Sequence, residues 1–276
     1  RTQTGASMDD LLAFLEDAGL GVTNTPAPGD LTVGGVLAIN GHGTSVPAVG
    51  ETRPSGHTYG SLSNLILSLT AVVWDGGEYR LRTFQRDEPE CAALLTHVGR
   101  AFVTEVTLRV GANQNLRCVS RVDIPVGELF APPGSGATRT FASFLDQAGR
   151  VEAIWFAFTD RPWLKTWSVA PTKPLTSRHV VTPYNYVFSD NVPKAVSDLA
   201  DLLITGAWAL TPTFGQLQYT TAATGLTATL TTDLWGASKN LLLYVKPTTL
   251  RETANGYAVL TSRAEVQRVV SDFAAF

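Results

Sequence analysis

Cysteine is scarce, with only Cys91 and Cys118 in 276 residues. Two thiols form at most one bridge and neither has Cys-x-x-Cys spacing, so a disulfide scaffold and cysteine metal or redox motifs are poorly supported. Buried free thiols are the expectation, since cysteine packs as a small hydrophobe. A core of this size needs no staples, so the shortage does not decide the compartment. The four histidines show neither HxxH nor HExxH spacing, which leaves no metal cluster. GxSxG elbows and Walker loops are absent too. Charged residues make up 16 % and the net charge is −3, which offers no footprint for nucleic acid or an anionic membrane. No run reaches the ~18 apolar residues of a membrane span. The chain opens on Arg1 with no basic-then-apolar leader, so a removed leader or a longer parent protein is expected.

What is present is an ordinary apolar content of 44 %, enough for one large or two modest cores. Met8, Leu11, Leu12 and Leu15 repeat at helical spacing behind an N-capping Ser7, and Gly19 ends the run. Residues 65–74 and 79–84 flank Asp75-Gly76-Gly77, a hairpin signal. Thr104 to Val110 alternates as a half-buried strand. The character changes near Asn113 to Asn115, which predicts domains at 1–112 and 113–276. Further strands are expected at 117–124, 152–158, 164–170, 215–221, 226–231, 240–246 and 256–261. Helices are expected near 141–148 and 192–205, and a last one behind the capping box Ser262-Arg263-Ala264-Glu265, with Val266, Val269, Val270 and Phe273 on one face. Strands and helices mix without βαβ regularity, so the class is α+β.

The segment with chemical promise is Gly29-Asp30-Leu31-Thr32-Val33-Gly34-Gly35, continuing to Asn40-Gly41-His42-Gly43-Thr44. Glycines permit close backbone approach, and adjacent N–H groups in such loops can form anion-binding nests. His42 stands between two glycines, so no bulky sequence neighbour buries its imidazole. From residue types alone the stretch reads equally as a tight turn with a solvent-facing histidine.

The order of pieces says more. Gln3-Thr4-Gly5-Ala6-Ser7 with its helix, Leu31-Thr32-Val33-Gly34-Gly35, Gly41-His42-Gly43, Val72-Val73-Trp74-Asp75-Gly76, and Gly99 through Leu108 form five ordered landmarks. Together they resemble the FAD-binding domain of the vanillyl-alcohol oxidase family, in the half after its first phosphate-binding loop. Ala27 to Thr32, Ala38 to Thr44 and Gly56 to Asn64 resemble more closely the family's covalent-flavin (type II) bacterial cholesterol oxidases. That likeness continues through Trp163-Leu164-Lys165, Phe214-Gly215-Gln216 and Pro247 to Arg251. Gly41 departs from it, because alanine or another small residue is expected there.

The resemblance implies FAD tethered through His42, with contacts from Pro28, Gly29, Asp30, Leu31, Gly34, Gly35, Asn40, Gly41, Gly43, Thr44, Gly60, Ser61, Asn64 and Val103. It implies oxidation of a 3β-hydroxysteroid with O2 reduced to H2O2 and a coupled double-bond shift, in a secreted monomer that touches membrane surfaces only transiently. The flanking parts of the fold, including a catalytic carboxylate, arginine and asparagine cluster, are expected before Arg1 and after Phe276. Glu252 and Asp233 are the cap acids to watch. Residues 113–276 would be the cap, where Trp155, Phe156, Phe158, Trp163, Trp167, Tyr184, Tyr186, Phe188, Trp208, Phe214 and Trp235 concentrate; sheet-core packing is the competing role for each. His57 is expected in a loop, His97 packed or capping near the closing strand, and His179 at the surface. A sugar, lactone or alditol oxidase on the same scaffold, or a non-catalytic truncated chain, are the alternatives.

Overall fold

The computed structural model describes residues 1–44, 46–186, 194–244 and 259–276. In the first part, β1 (Thr2–Gln3) leads into α1 (Met8–Asp17), β2 (Leu20–Gly21) and α2 (Val33–Ala38). Then come β3 (Ile66–Asp75), β4 (Glu78–Gln85), β5 (Phe102–Leu108) and β6 (Gly111–Ala112). Four strands form an antiparallel sheet in the order β1-β5-β3-β4, and β2 pairs with β6. Ser7 caps α1 by accepting from Asp10 N at 3.0 Å. Met8, Leu12 and Leu15 then turn inward onto Ile66, Leu69 and Val106 of the sheet. The β3–β4 hairpin turns on Gly76 and Gly77, whose φ of +59° and +88° explain why both positions are glycine.

The second part holds β7 (Asn115–Arg121), α3 (Val126–Leu129), α4 (Phe141–Ala148), β8 (Arg150–Ile154), β9 (Trp163–Val169) and β10 (Arg178–His179). These are followed by α5 (Lys194–Thr205), α6 (Thr211–Ala228), β11 (Asp233–Ala237), α7 (Ser238–Leu242) and α8 (Val266–Ala275). Its sheet runs β10-β11-β7-β9-β8, antiparallel except for the β10–β11 pair. Trp163 and Trp167 face α6 with Leu116, Cys118 and Leu234, while Leu164 and Val151 face α4 on the other side. The chain then returns to the first part: Lys239 pairs with Glu16 at 3.0 Å and Leu243 joins the first core. This is the α+β class, with antiparallel sheets.

Three expected strands come out differently. Residues 215–221 and half of 226–231, namely 226–228, lie in α6. Threonine-rich, β-branched composition suggested extended chain. Yet Gly215, Ala222 and Leu226, spaced seven and four apart, make a buried helical stripe, and Thr220 and Thr227 return their hydroxyls to the carbonyls four residues back. Positions 240–242 close α7, residues 259–261 form no strand, and 245–246 and 256–258 lie outside the described residues. The strand of this region is β11, at 233–237. The last helix departs in its face as well. Ser262 makes no side-chain cap bond and Phe273 is exposed, whereas Gln267 is buried, accepting from Ala142 N and donating to the carbonyls of Leu129 and Ala131. Cys91 and Cys118 are free and buried, as expected. Among the described residues no helix is long and apolar enough to cross a membrane.

Candidate functional site

The glycine-rich segment is built by close packing. Thr32 caps α2 by accepting from Gly35 N at 3.1 Å, and Gly34 N donates to Thr4 O at 2.8 Å. Those N–H groups therefore have internal partners and form no open anion nest. A Cβ on Gly34 would stand 2.8 Å from Thr4 Cβ, so the first glycine serves the seam between β1 and α2. Gly29 is buried and its carbonyl accepts from Asp9 N at 2.9 Å.

After α2 the backbone reverses at Asn40, a non-glycine with φ +59°. A Cβ on Gly41 would lie 2.5 Å from Val36 Cγ1 and 2.9 Å from Val36 O. Glycine is thus required here, and the alanine expected by resemblance would not fit without a shift. Gly43 is as constrained, with Thr25 O 2.7 Å from where a Cβ would be. Pinned on both sides, His42 pairs with Ser61 in an isolated antiparallel bridge, and Leu62 N donates to Gly41 O at 3.0 Å.

The imidazole is exposed at the edge of an open cleft of about 550 Å³. Asn40, Gly43, Thr44, Gly60, Ser61 and Asn64 line it with His42 and Val46. Six of the expected contacts and His42 are therefore brought together. Pro28, Gly29, Asp30, Leu31, Gly34, Gly35, Gly41 and Val103 are not on this cleft. Val103 packs against the first core, where its carbonyl accepts from Thr4 Oγ1 at 2.7 Å. His42 Nδ1 lies 3.0 Å from Gly43 O. A carbonyl only accepts, so this contact is a hydrogen bond only where Nδ1 carries a proton. Among the described residues no carboxylate lines the cleft.

The loop that follows His42 docks on the second sheet. Arg150, 1 % exposed, reaches Glu51 at 3.3 Å and donates from Nε to Thr23 O at 3.2 Å. Tyr59 donates its hydroxyl to Glu51 at 2.8 Å and Ala48 N donates to it at 3.0 Å. Burial alone would raise the Glu51 carboxyl, but Ala48 N–H, the Arg150 charge and Tyr59 outweigh it and hold the pKa below the usual value. Burial and the Glu51 carboxylate push the Tyr59 hydroxyl up to about 12.

A second cluster lies on the α6 face of β9. Lys165 is fully buried, with Nζ 2.8 Å from Glu152 Oε2, off the line of a good hydrogen bond. It sits 3.7 Å from the ring centre of Tyr244 and 4.4 Å from that of Trp163. Tyr244 donates to Glu152 at 2.7 Å. Trp163, Trp167 and Tyr186 are core residues; Trp155, Phe158 and Trp208 are exposed, and Phe188 lies outside the described residues. Glu252 also lies outside them, and Asp233 is engaged by Arg117, Thr176 and Ser177. Glu51, Arg150, Glu152 and Tyr244 were not singled out from the sequence. Lys165 had a readable signal: alternation along β9 puts it on one face with Trp163 and Trp167.

Of the other histidines, His179 is exposed beside Trp235. His97 accepts from Ala101 N at 3.3 Å, and burial lowers its pKa. His57 is in a loop but buried, at 5 % exposure, with Nε2 2.7 Å from Ala112 O. Among the described residues no group of three or more His, Cys, Asp or Glu could hold a metal.

The family model for the substrate-binding domain of cholesterol oxidase matches residues 115–276. Among solved structures, a solvent-stable cholesterol oxidase is 61 % identical with a TM-score of 0.95, over 99 % of this chain and 51 % of that one. Cholesterol oxidase from Brevibacterium sterolicum, and a histidine-to-alanine mutant of it, are each 48 % identical with a TM-score of 0.94, over 99 % of this chain and 51 % of theirs. No curated protein matches. The chain spans about half the length of the solved structures it matches, and it belongs to the cholesterol oxidase family.

Proposed function

We propose that this chain is the flavin-tethering and sterol-covering part of an oxidase that converts a 3β-hydroxysteroid to its ketone. The observation that carries the reading is His42, held between two space-limited glycines and bridged to Ser61, with its ring exposed on an open cleft. The cleft volume is in the usual range for a small-molecule site, and its small and polar lining fits the edge of a flat ring system. His42 would hold FAD covalently, with Asn40, Gly43, Thr44, Gly60, Ser61 and Asn64 beside it. The remaining expected contacts would act from behind by shaping α2 and its approach. When bound, FAD would supply hydride acceptance and electron transfer to O2, yielding H2O2.

The chain's own task in tethering is to present a neutral imidazole nitrogen. Rotation about the His42 side-chain bonds offers either ring nitrogen, since among the described residues its ring contacts only the adjacent Gly43 carbonyl. The match of residues 115–276 to a cholesterol oxidase substrate-binding domain favours a flat sterol over a sugar, which would require converging polar groups. The coupled double-bond shift needs a positioned carboxylate, which the cleft lining does not contain. An extracellular location and a monomeric state belong to the same reading.

Acid precipitation of the intact flavin-loaded protein tests it. Flavin colour stays in the wild-type pellet and moves to the supernatant for His42→Ala. A colourless wild-type pellet overturns the tether, and a sterol-versus-sugar panel read by peroxide separates the substrates.

A further inference from the structure

Three arginines meet where the first sheet begins. Arg53, Arg86 and Arg109 line a depression of about 370 Å³ together with His57, Thr58 and Asn64. Arg86 follows β4 and Arg109 follows β5, and their backbone N–H groups donate to Leu67 O and Leu65 O at 2.9 and 2.7 Å. The two are thereby anchored on opposite sides of the start of β3. Arg53 arrives on the loop that leads to His57.

That loop is packed hard against the end of the sheet. Gly56 has φ +81°, and a Cβ on it would lie 2.3 Å from Val110 O; one on Gly111 would lie 2.3 Å from His57 Cδ2. The imidazole is thus pressed on the backbone, with Nε2 donating to Ala112 O at 2.7 Å and a buried Nδ1 that has no partner.

Among the described residues no carboxylate lines the depression, in a chain with 24 acidic against 21 basic residues. None of the three arginines forms an ion pair among the described residues. Arg86 uses one nitrogen on Ser63 O at 2.8 Å, so most of its five donors remain available. Three exposed arginines lining one depression with no carboxylate among its described lining suit a planar or tetrahedral oxyanion better than a neutral ligand.

We propose that this depression binds a small, multiply charged oxyanion of the phosphate class, held by Arg53, Arg86 and Arg109 in front of His57. It is independent of the flavin reading, although Asn64 edges both this depression and the His42 cleft. The oxyanion is either free phosphate or the phosphomonoester headgroup of a lipid.

Calorimetric titration of the intact protein with inorganic phosphate, and sedimentation with vesicles carrying or lacking a phosphomonoester lipid, distinguish the two sources. Binding in either arm, weakened at least tenfold in Arg86→Gln and Arg109→Gln and weaker at high salt, supports the site. Arg53→Gln, on the exposed loop, serves if the other variants do not fold. No binding in either arm, or binding that all the variants retain, overturns the proposal.

Discussion

Arg150 reaches across from the start of β8 to Glu51, on the loop that follows His42, and both side chains are withdrawn from water. The pair joins the two parts of the chain at the place where the candidate flavin loop must be held still. Removing one partner strands a buried charge, which typically costs about 3–5 kcal/mol. Glu51→Gln should therefore destabilise the intact protein by roughly 3 kcal/mol in denaturant melts. A double variant with Arg150→Met should recover part of that loss. A single variant that melts like the parent would mean that the pair holds nothing together.

Asp233 supplies a pH test in the second sheet. Burial would raise its carboxyl, but Arg117 at 2.7 and 2.9 Å, Ser177 and Thr176 reverse the effect and bring it down to about 2 from the ordinary 3.8. A folded-state pKa lowered in this way stabilises above the unfolded value, and the benefit disappears as pH falls through the folded one. The contribution, roughly 2 kcal/mol at about 1.4 kcal/mol per decade, should be complete above about pH 5 and fade toward pH 2. Asp233→Asn should flatten acid unfolding in this window. An unchanged acid limb would show that the pair contributes no net stability.

Gly215 is the closest approach in the helical layer. A Cβ there would fall 1.8 Å from Ala157 O, while one on Gly206 meets nothing within 4 Å. Gly215→Ala should cost at least 1–3 kcal/mol by overpacking, since backbone must move, whereas Gly206→Ala should be nearly neutral. Equal melting temperatures for the two variants would refute the packing argument.

How much was legible follows from the kind of signal. α1, the hairpin and α4 were readable because their caps, turn glycines and periodicity agree. α6 was not, since threonine and alanine carry weak and conflicting preferences, and its stripe emerges only against Trp163 and Ala157. At the candidate site, His42 and Ser61 were both singled out by resemblance, since the glycines beside His42 read equally as a tight turn. The Glu51–Arg150 pair could not be found, because residues 99 apart in sequence carry no local pattern. Gly41 shows the reverse: it looked like an incidental departure until Val36 was seen beneath it.

Lys165 tests what a buried charge contributes to the second core. Its ammonium is fully buried among Trp163, Tyr186 and Tyr244, whereas Glu152 keeps 26 % of its side chain exposed and two hydrogen-bonding contacts from Tyr244. Removing one partner of a buried pair is costly when it strands the other charge away from water, but here the carboxylate left behind is 26 % exposed and can still hydrate. Lys165→Met should accordingly melt no lower than the parent, whereas Lys165→Ala opens a cavity and should lose about 2–4 kcal/mol. If the methionine variant instead melts well below the parent, the aromatic cage needs its cation to pack.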